Sequence, residues 1–156
     1  MKLITKYKAT LAVGLSLALT VAISWAQPDQ SDTFHPHDVR VFKAAACTKD
    51  RKPVEALYYI AASRSDLAQG KPSPSAGLMK EQVEANWRQI AARLTGEQVM
   101  AVRFAETYHA VLSEFIPRLE HAVEKQSGVS ITVSEVNSRP MDAAKDKDVP
   151  VCGLEQ

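Results

Sequence analysis

Two cysteines, Cys47 and Cys152, are the side chains in this chain best suited to covalent chemistry. They stand 152 − 47 = 105 positions apart, a spacing that fits neither a C-x-x-C redox motif nor a zinc site. Cysteines in oxidising compartments form structural disulfides, whereas cytosolic cysteines are more often catalytic or metal-binding. The compartment therefore determines whether the two cysteines form a disulfide or have a catalytic or metal-binding role. The alternative to an internal disulfide is that each thiol pairs with another protein.

His35 and His37 come nearest to a metal site, because they flank Pro36 and precede Asp38. On an extended segment residues i and i+2 lie on the same side, so both imidazoles could bind copper or zinc and Asp38 could add an oxygen. A specific site needs three or four ligands, and the competing interpretation is a polar linker that happens to contain two histidines. A copper or zinc carrier is therefore an alternative function.

Glu106 and His109 have the Glu-x-x-His spacing of di-metal carboxylate proteins, which need two such motifs and two further glutamates. This chain has one copy of the motif, so we expect Glu106 on a solvated helix face and His109 at the margin of an apolar one. Signatures such as G-x-S-x-G or a glycine-rich phosphate loop are missing from the sequence. The sequence predicts a non-enzymatic protein without a cofactor.

The first 26 residues have the three parts of a secretory signal peptide: a lysine-rich start, an uncharged run over residues 9–24, and small residues at Ser24 and Ala26. We expect cleavage near Ala26, which would make the protein periplasmic or secreted. The alternative is an uncleaved anchor, because the 18 apolar residues 9–26 lie within the ~17–25 that span a bilayer. The domain would then be attached to the inner membrane and face the periplasm.

An oxidising destination favours a disulfide between Cys47 and Cys152. Without residues 1–26 the chain keeps 130 residues, of which 16 are basic and 18 acidic, for a net charge of −2. This length suits one domain, and the near-neutral charge gives no electrostatic basis for binding nucleic acid. We expect a polar linker over residues 27–38 and a single domain over residues 39–156.

Three segments have the alternation of strands. Residues 39–47 place Val39, Val41, Lys43, Ala45 and Cys47 on one side, and residues 129–136 place Val129, Ile131 and Val133 inward. Residues 53–70 are ambiguous, because Pro53 and Gly70 would also suit the start and end of a helix. We favour a strand over residues 54–62 that forms a hairpin with the first strand.

The apolar stripe of residues 78–94 predicts an amphipathic helix that includes Trp87. We expect Gly96 to end this helix and residues 95–98 to form a capping box for a second one. The second helix is expected to run to Gly128, with a kink or break at Pro117.

The element order β-β-α-α-β predicts an α+β fold in which two amphipathic helices cover one face of a small antiparallel sheet. The remaining residues read as an irregular charged tail that only Cys152 holds in place. Over residues 78–136, the helix-helix-strand order with SGVSITV (residues 127–133) at its end resembles the extracytoplasmic domains of band-7 or flagellar stator-associated membrane proteins. That resemblance implies a membrane-anchored scaffold domain.

We expect a protein that acts by contact with another protein of the cell envelope. This expectation rests on the amphipathic helices with their capping residues, the signal-peptide pattern and the missing catalytic signatures. The metal or small-ligand carrier and the anchored scaffold are the alternatives. Contact with a membrane is expected only if the N-terminal segment is uncleaved.

Overall fold

The computed structural model describes residues 38–100 and 102–153. The predicted signal peptide and most of the predicted linker, including His35 and His37, lie outside the described residues. The elements in chain order are β1 (Val39–Cys47), β2 (Pro53–Ala62), α1 (Arg64–Ala68), α2 (Ala76–Ala91), α3 (Gly96–Met100), a 3₁₀ turn (Val102–Phe104), α4 (Ala105–Ser127) and β3 (Ile131–Pro140). None of the helices in these residues is both long and apolar enough to cross a membrane.

The three strands form one antiparallel sheet in the order β1-β2-β3. Helix α2 packs on β1 and against α4, which reaches β3, so the two long helices cover the same face of the sheet. This arrangement confirms the predicted α+β fold and, approximately, its β-β-α-α-β order. The structure adds the short helix α1 and divides the second predicted helix into α3 and α4.

The ambiguous segment 53–70 divides between the two alternatives. Its first part is the central strand β2, as predicted, because its alternate residues enter the core. Its second part forms α1, whose N-cap Ser63 accepts a hydrogen bond from the backbone N–H of Asp66 at 3.3 Å. Gly70 follows α1 with a φ of 78°, a left-handed conformation that glycine adopts without steric cost.

The core lies between the sheet and the two long helices. Trp87 of α2 is fully buried, and its indole N–H donates to the Val54 carbonyl of β2 at 3.3 Å. Its ring meets that of Tyr58 edge to face, with centroids 6.5 Å apart. The other fully buried large residues are Ile60, Met79, Ile90, Leu94, Leu119, Val54, Val83, Val123, Val129 and Pro74.

One buried chain of polar groups connects the sheet with both long helices. The Tyr58 hydroxyl donates to Asn86 Oδ1 at 3.0 Å, and Asn86 Nδ2 donates to the Phe115 carbonyl of α4 at 2.8 Å. Burial, followed by the nearby Tyr108, raises the pKa of Tyr58 above its ordinary value. The hydroxyl therefore stays protonated and remains a donor. Because each buried group has a partner, this chain fixes how β2, α2 and α4 sit together.

The second predicted helix is wrong in its continuity. Helix α3 ends at Met100 and α4 begins at Ala105, with the 3₁₀ turn Val102–Phe104 before it, while α4 continues through Pro117. We attribute the position of the break to packing, because α3 contacts β2 and β3 whereas α4 packs mainly on α2. The predicted end is confirmed, since Gly128 closes α4 in the left-handed conformation at φ 72°.

The junction between α2 and α3 confirms the capping box and corrects the role of Gly96. Thr95 Oγ1 accepts from the Gln98 N–H at 3.1 Å, and Gln98 Oε1 accepts from the Thr95 N–H at 2.9 Å. Helix α2 ends at Ala91, so Gly96 is the first residue of α3 and does not cap α2. A Cβ at Gly96 would lie 3.0 Å from Lys52 Cβ, so the glycine lets the β1–β2 turn approach.

Strand β3 is longer than predicted and contains a bulge. Ile60 pairs with Val133 and Tyr59 pairs with Glu135, which leaves Ser134 as the extra residue. The Ser134 hydroxyl donates to the Tyr59 carbonyl at 3.1 Å, and the Val133 N–H donates to a carboxylate oxygen of Glu120 in α4 at 2.9 Å. The Val133 N–H and the Tyr59 carbonyl at the bulge therefore each have a side-chain partner.

Candidate binding face on the sheet

The face of the sheet opposite the long helices is set by the strand registers. Residues paired across strands share a face, so each outward row contains one residue from each strand. The rows are Val39–Ala61–Thr132, then Val41–Tyr59–Glu135, Lys43–Leu57–Asn137, and Ala45–Glu55–Arg139, with Cys47 and Pro53 at the end. We call the surface made by these rows the outer face.

The C-terminal tail lies over one end of the outer face. Cys152 is bonded to Cys47, with Cα atoms 5.6 Å apart, which confirms the predicted disulfide. The expectation that only this bond holds the tail is wrong. Met141 is buried and its N–H donates to the Pro53 carbonyl at 2.9 Å, and Asp146 binds Arg139 of β3 at 2.6 Å.

Beneath the tail, Glu55 is the buried charge of this end. Only 5% of the residue is exposed, although it lies on the sheet face away from the core. Its two carboxylate oxygens contact Lys43 Nζ at 2.9 Å and Arg139 Nη2 at 2.6 Å. Arg139 also binds Asp146, so two cations and two carboxylates alternate across the sheet and neutralise one another. This covered end is therefore a structural ion-pair network.

Acid is expected to weaken this network. The Arg139 guanidinium, and then the backbone N–H of Asp142, lower the pKa of Asp146 to about 2. A lowered folded-state pKa gives stability above the unfolded value of ~3.9 that is lost as pH falls toward 2. We predict that Asp146→Asn destabilises the protein at pH 6 and has little effect near pH 2, measured by urea unfolding at both values.

Asp148→Asn is the matched control, because Asp148 is an exposed residue of the same tail and asparagine tolerates its positive φ of 56°. An equal loss of stability from Asp146→Asn at both pH values would contradict the network as the source of the effect.

The other end of the outer face is not covered by any element of the described part of the chain. Val39 and Val41 are 54% and 52% exposed, and Leu57 and Tyr59 of the central strand are partly exposed beside them. The rim carries Lys43 on β1 and Glu135 on β3. We call these first three rows the open half. An exposed apolar centre with a charged rim is the pattern of a protein-binding surface.

The other candidate residues do not assemble into a site. Glu106 and His109 are both exposed on α4, and residues 38–100 and 102–153 contain no group of three or more His, Cys, Asp or Glu side chains that could hold a metal ion. The metal site at His35 and His37 stays a prediction, since those residues are outside the described ranges.

Asp66 is a buried carboxylate with a lowered pKa, as catalytic residues often have, but its contacts are structural. It accepts from Lys71 Nζ at 2.5 Å and from the Ser130 N–H at 3.0 Å, and these two bonds lower its pKa. Asp66 thereby connects α1 to the residue before β3. Sequence reasoning missed this contact because it joins positions 64 residues apart.

Sequence reasoning found the residues of β1 that share the outer face but not the open half itself. Alternation in β1 and β2 separates the two faces, yet it does not show where the tail crosses. The missing signal is the pairing of Glu55 with Arg139, which becomes visible only when the register of β3 is known.

Comparisons with protein-family models, with curated proteins and with solved structures found no match for this chain.

Proposed function

We propose that this chain is an exported, non-enzymatic binding module that contacts another protein through the open half of its sheet. The observation that carries the proposal is the exposure of Val39 and Val41 beside Leu57 and Tyr59. A strand residue that faces water is usually polar, and apolar residues grouped on such a face favour a partner that removes them from water. Burying this group would supply the hydrophobic part of the binding free energy.

The proposed location is the periplasm or another oxidising compartment, after cleavage near Ala26. Two features support it: the bonded cysteines, Cys47 and Cys152, and the signal-peptide pattern of the first 26 residues. Binding by contact also agrees with the ion-pair network, because the buried Glu55 lies within ion-pair distance of both Lys43 and Arg139 and is covered by the tail.

The proposal is tested by photocrosslinking in the cells that make the protein. A photoreactive amino acid at Val41 is expected to give a discrete crosslinked product, because this side chain projects from the open half. The same amino acid at Lys80, an exposed residue of α2 on the opposite side of the sheet, is the control. The intact mass of the purified chain reports whether residues 1–26 are removed.

Crosslinks of equal yield from Val41 and Lys80 would show collision without a defined face, and no crosslink from Val41 would overturn the proposal.

A further inference from the structure

We propose that the end of the molecule that carries the β1–β2 turn binds the surface of an anionic lipid bilayer. Exposed cations of the turn would bind the phosphate headgroups, and exposed apolar side chains beside it would enter the interfacial region of the lipid. This surface is separate from the open half, because the covered row Ala45–Glu55–Arg139 lies between them. The inference therefore goes beyond the proposed function.

Three segments of the chain meet at this end of the sheet. We call residues 48–52, which connect β1 to β2, the basic turn. The N–H of Gly96, the first residue of α3, donates to an Asp50 carboxylate oxygen at 2.9 Å. The disulfide holds Cys152 of the tail against Cys47, the residue before the basic turn. Helix α3 and the end of the tail therefore both adjoin the basic turn.

The basic turn carries three exposed cations, Lys49, Arg51 and Lys52, and no residue in the described ranges forms an ion pair with any of them. The acid of the turn, Asp50, accepts from the Thr48 hydroxyl at 2.6 Å. That bond, and more weakly the charge of Lys52, lower the pKa of Asp50. Because Lys52 acts on Asp50, the proposal rests on the charges of Lys49 and Arg51.

Arg51 occupies a backbone position at which glycine is usual. Its N–H donates to the Thr48 carbonyl at 2.8 Å, and the Thr48 N–H donates to the Lys52 carbonyl at 3.0 Å. The loop is therefore a type I turn followed by one left-handed residue, and that residue is Arg51, with a φ of 61°. A cation is placed here against the local backbone preference, and such departures are typical of functional positions.

Exposed apolar side chains lie on both segments that adjoin the basic turn. Met100, which ends α3, is 54% exposed, and Val102 after it is 90% exposed. Helix α3 has five residues and spans only about 7.5 Å, which keeps both near the turn. Val151, next to Cys152 in the tail, is 78% exposed. Of the five exposed large hydrophobic residues in the described ranges, these three lie here and the other two belong to the open half.

A bilayer fits this combination better than a small anion or a partner protein does. The negative surface of a phospholipid leaflet attracts lysine and arginine, and its interfacial region takes up apolar side chains. A small anion would use the cations alone. A protein partner covers a continuous apolar core, whereas Met100, Val102 and Val151 stand on two separate segments, which a fluid surface meets without matching pockets. This contact needs no leader, in contrast to the anchor expected if residues 1–26 are retained.

The test is co-sedimentation of the protein, purified from the cells that make it, with vesicles of phosphatidylglycerol and phosphatidylcholine at low salt. Binding is expected, and it should fall with added salt and on vesicles of phosphatidylcholine alone. Lys49→Gln and Arg51→Gly are each expected to weaken binding about fivefold, the contribution of one cation near an anionic surface. Lys125→Gln is the matched control, because Lys125 is exposed on the last turn of α4, which leads into β3 at the opposite end of the sheet.

Two further measurements separate lipid binding from stability and from charge. Arg51→Gly relieves the left-handed conformation, so the thermal unfolding temperature is expected not to fall while vesicle binding does. Val102→Ser removes the most exposed apolar side chain and is expected to weaken binding at least about threefold.

No binding to the anionic vesicles overturns the proposal. Equal binding by all variants also overturns it, since a retained leader would give that result and the intact mass identifies it. A loss with the cations but not with Val102→Ser would indicate a site for phosphate alone. A loss with Val41→Ser as large as that with Val102→Ser would place the lipid on the open half. Either result contradicts the inference, while the crosslink from Val41 tests the proposed function separately.

Discussion

Cys47→Ser is expected to lower the free energy of unfolding by about 2–5 kcal/mol, the range for native disulfides that close long loops. The bond closes a loop of 105 positions, for which the chain-entropy model gives ~4.7 kcal/mol through restriction of the unfolded chain. Urea unfolding followed by circular dichroism measures the loss.

The two single substitutions and the double substitution together test whether the disulfide is the source of the stability. Cys152→Ser and the double variant are expected to cost about as much as Cys47→Ser, because any one of these changes breaks the same bond. Chemical reduction of the wild-type chain should reproduce the loss. Additive effects of the two single substitutions, or no change on reduction, would show that the bond is not the source of stability.

Tyr58→Ala is expected to cost about 3–5 kcal/mol, the range for removing a buried aromatic side chain. The substitution empties the space beside Trp87 and leaves Asn86 without its hydroxyl partner. The neighbouring tyrosine is a control in the same strand: Tyr59→Ala removes the same atoms from the outer face and is expected to cost less than about 1 kcal/mol.

If Tyr58→Ala prevents folding, Tyr58→Phe keeps the ring and tests the hydrogen bond alone, with an expected loss of about 1–3 kcal/mol for the unsatisfied Asn86. Thermal and urea unfolding of the three variants give the comparison. Equal losses at positions 58 and 59 would mean that the assignment of the two faces is wrong.

The sequence predicts those parts of the fold that depend on local pattern. Alternation places β1 at its observed bounds and β2 within one residue, while the capping box at Thr95 and the glycine at Gly128 locate helix ends. Each of these signals is carried by residues close together in the chain, where periodicity and backbone conformation act directly.

The rest depends on contacts between distant residues. Nothing near Val99 or Phe104 indicates that α3 contacts the sheet whereas α4 packs on α2, so the sequence does not predict the break between them. Of the kink or break expected at Pro117, the structure shows no break, because α4 continues through this residue. The open half is likewise a product of tertiary structure. Its extent depends on the pairing of Glu55 in β2 with Arg139 in β3, two residues 139 − 55 = 84 positions apart, which no local pattern encodes.

Because of the bulge at Ser134, β3 is expected to tolerate the deletion of one residue, whereas β1 is not. Ser134 is a spare position, so removing it would leave Val133 facing inward and Glu135 outward in an unbroken alternation. The pairing of β1 with β2 is regular from end to end, so deleting a residue such as Ala45 would reverse the side chains on one side of the gap. During divergence, codon loss is therefore expected to be accommodated at Ser134 and selected against in β1.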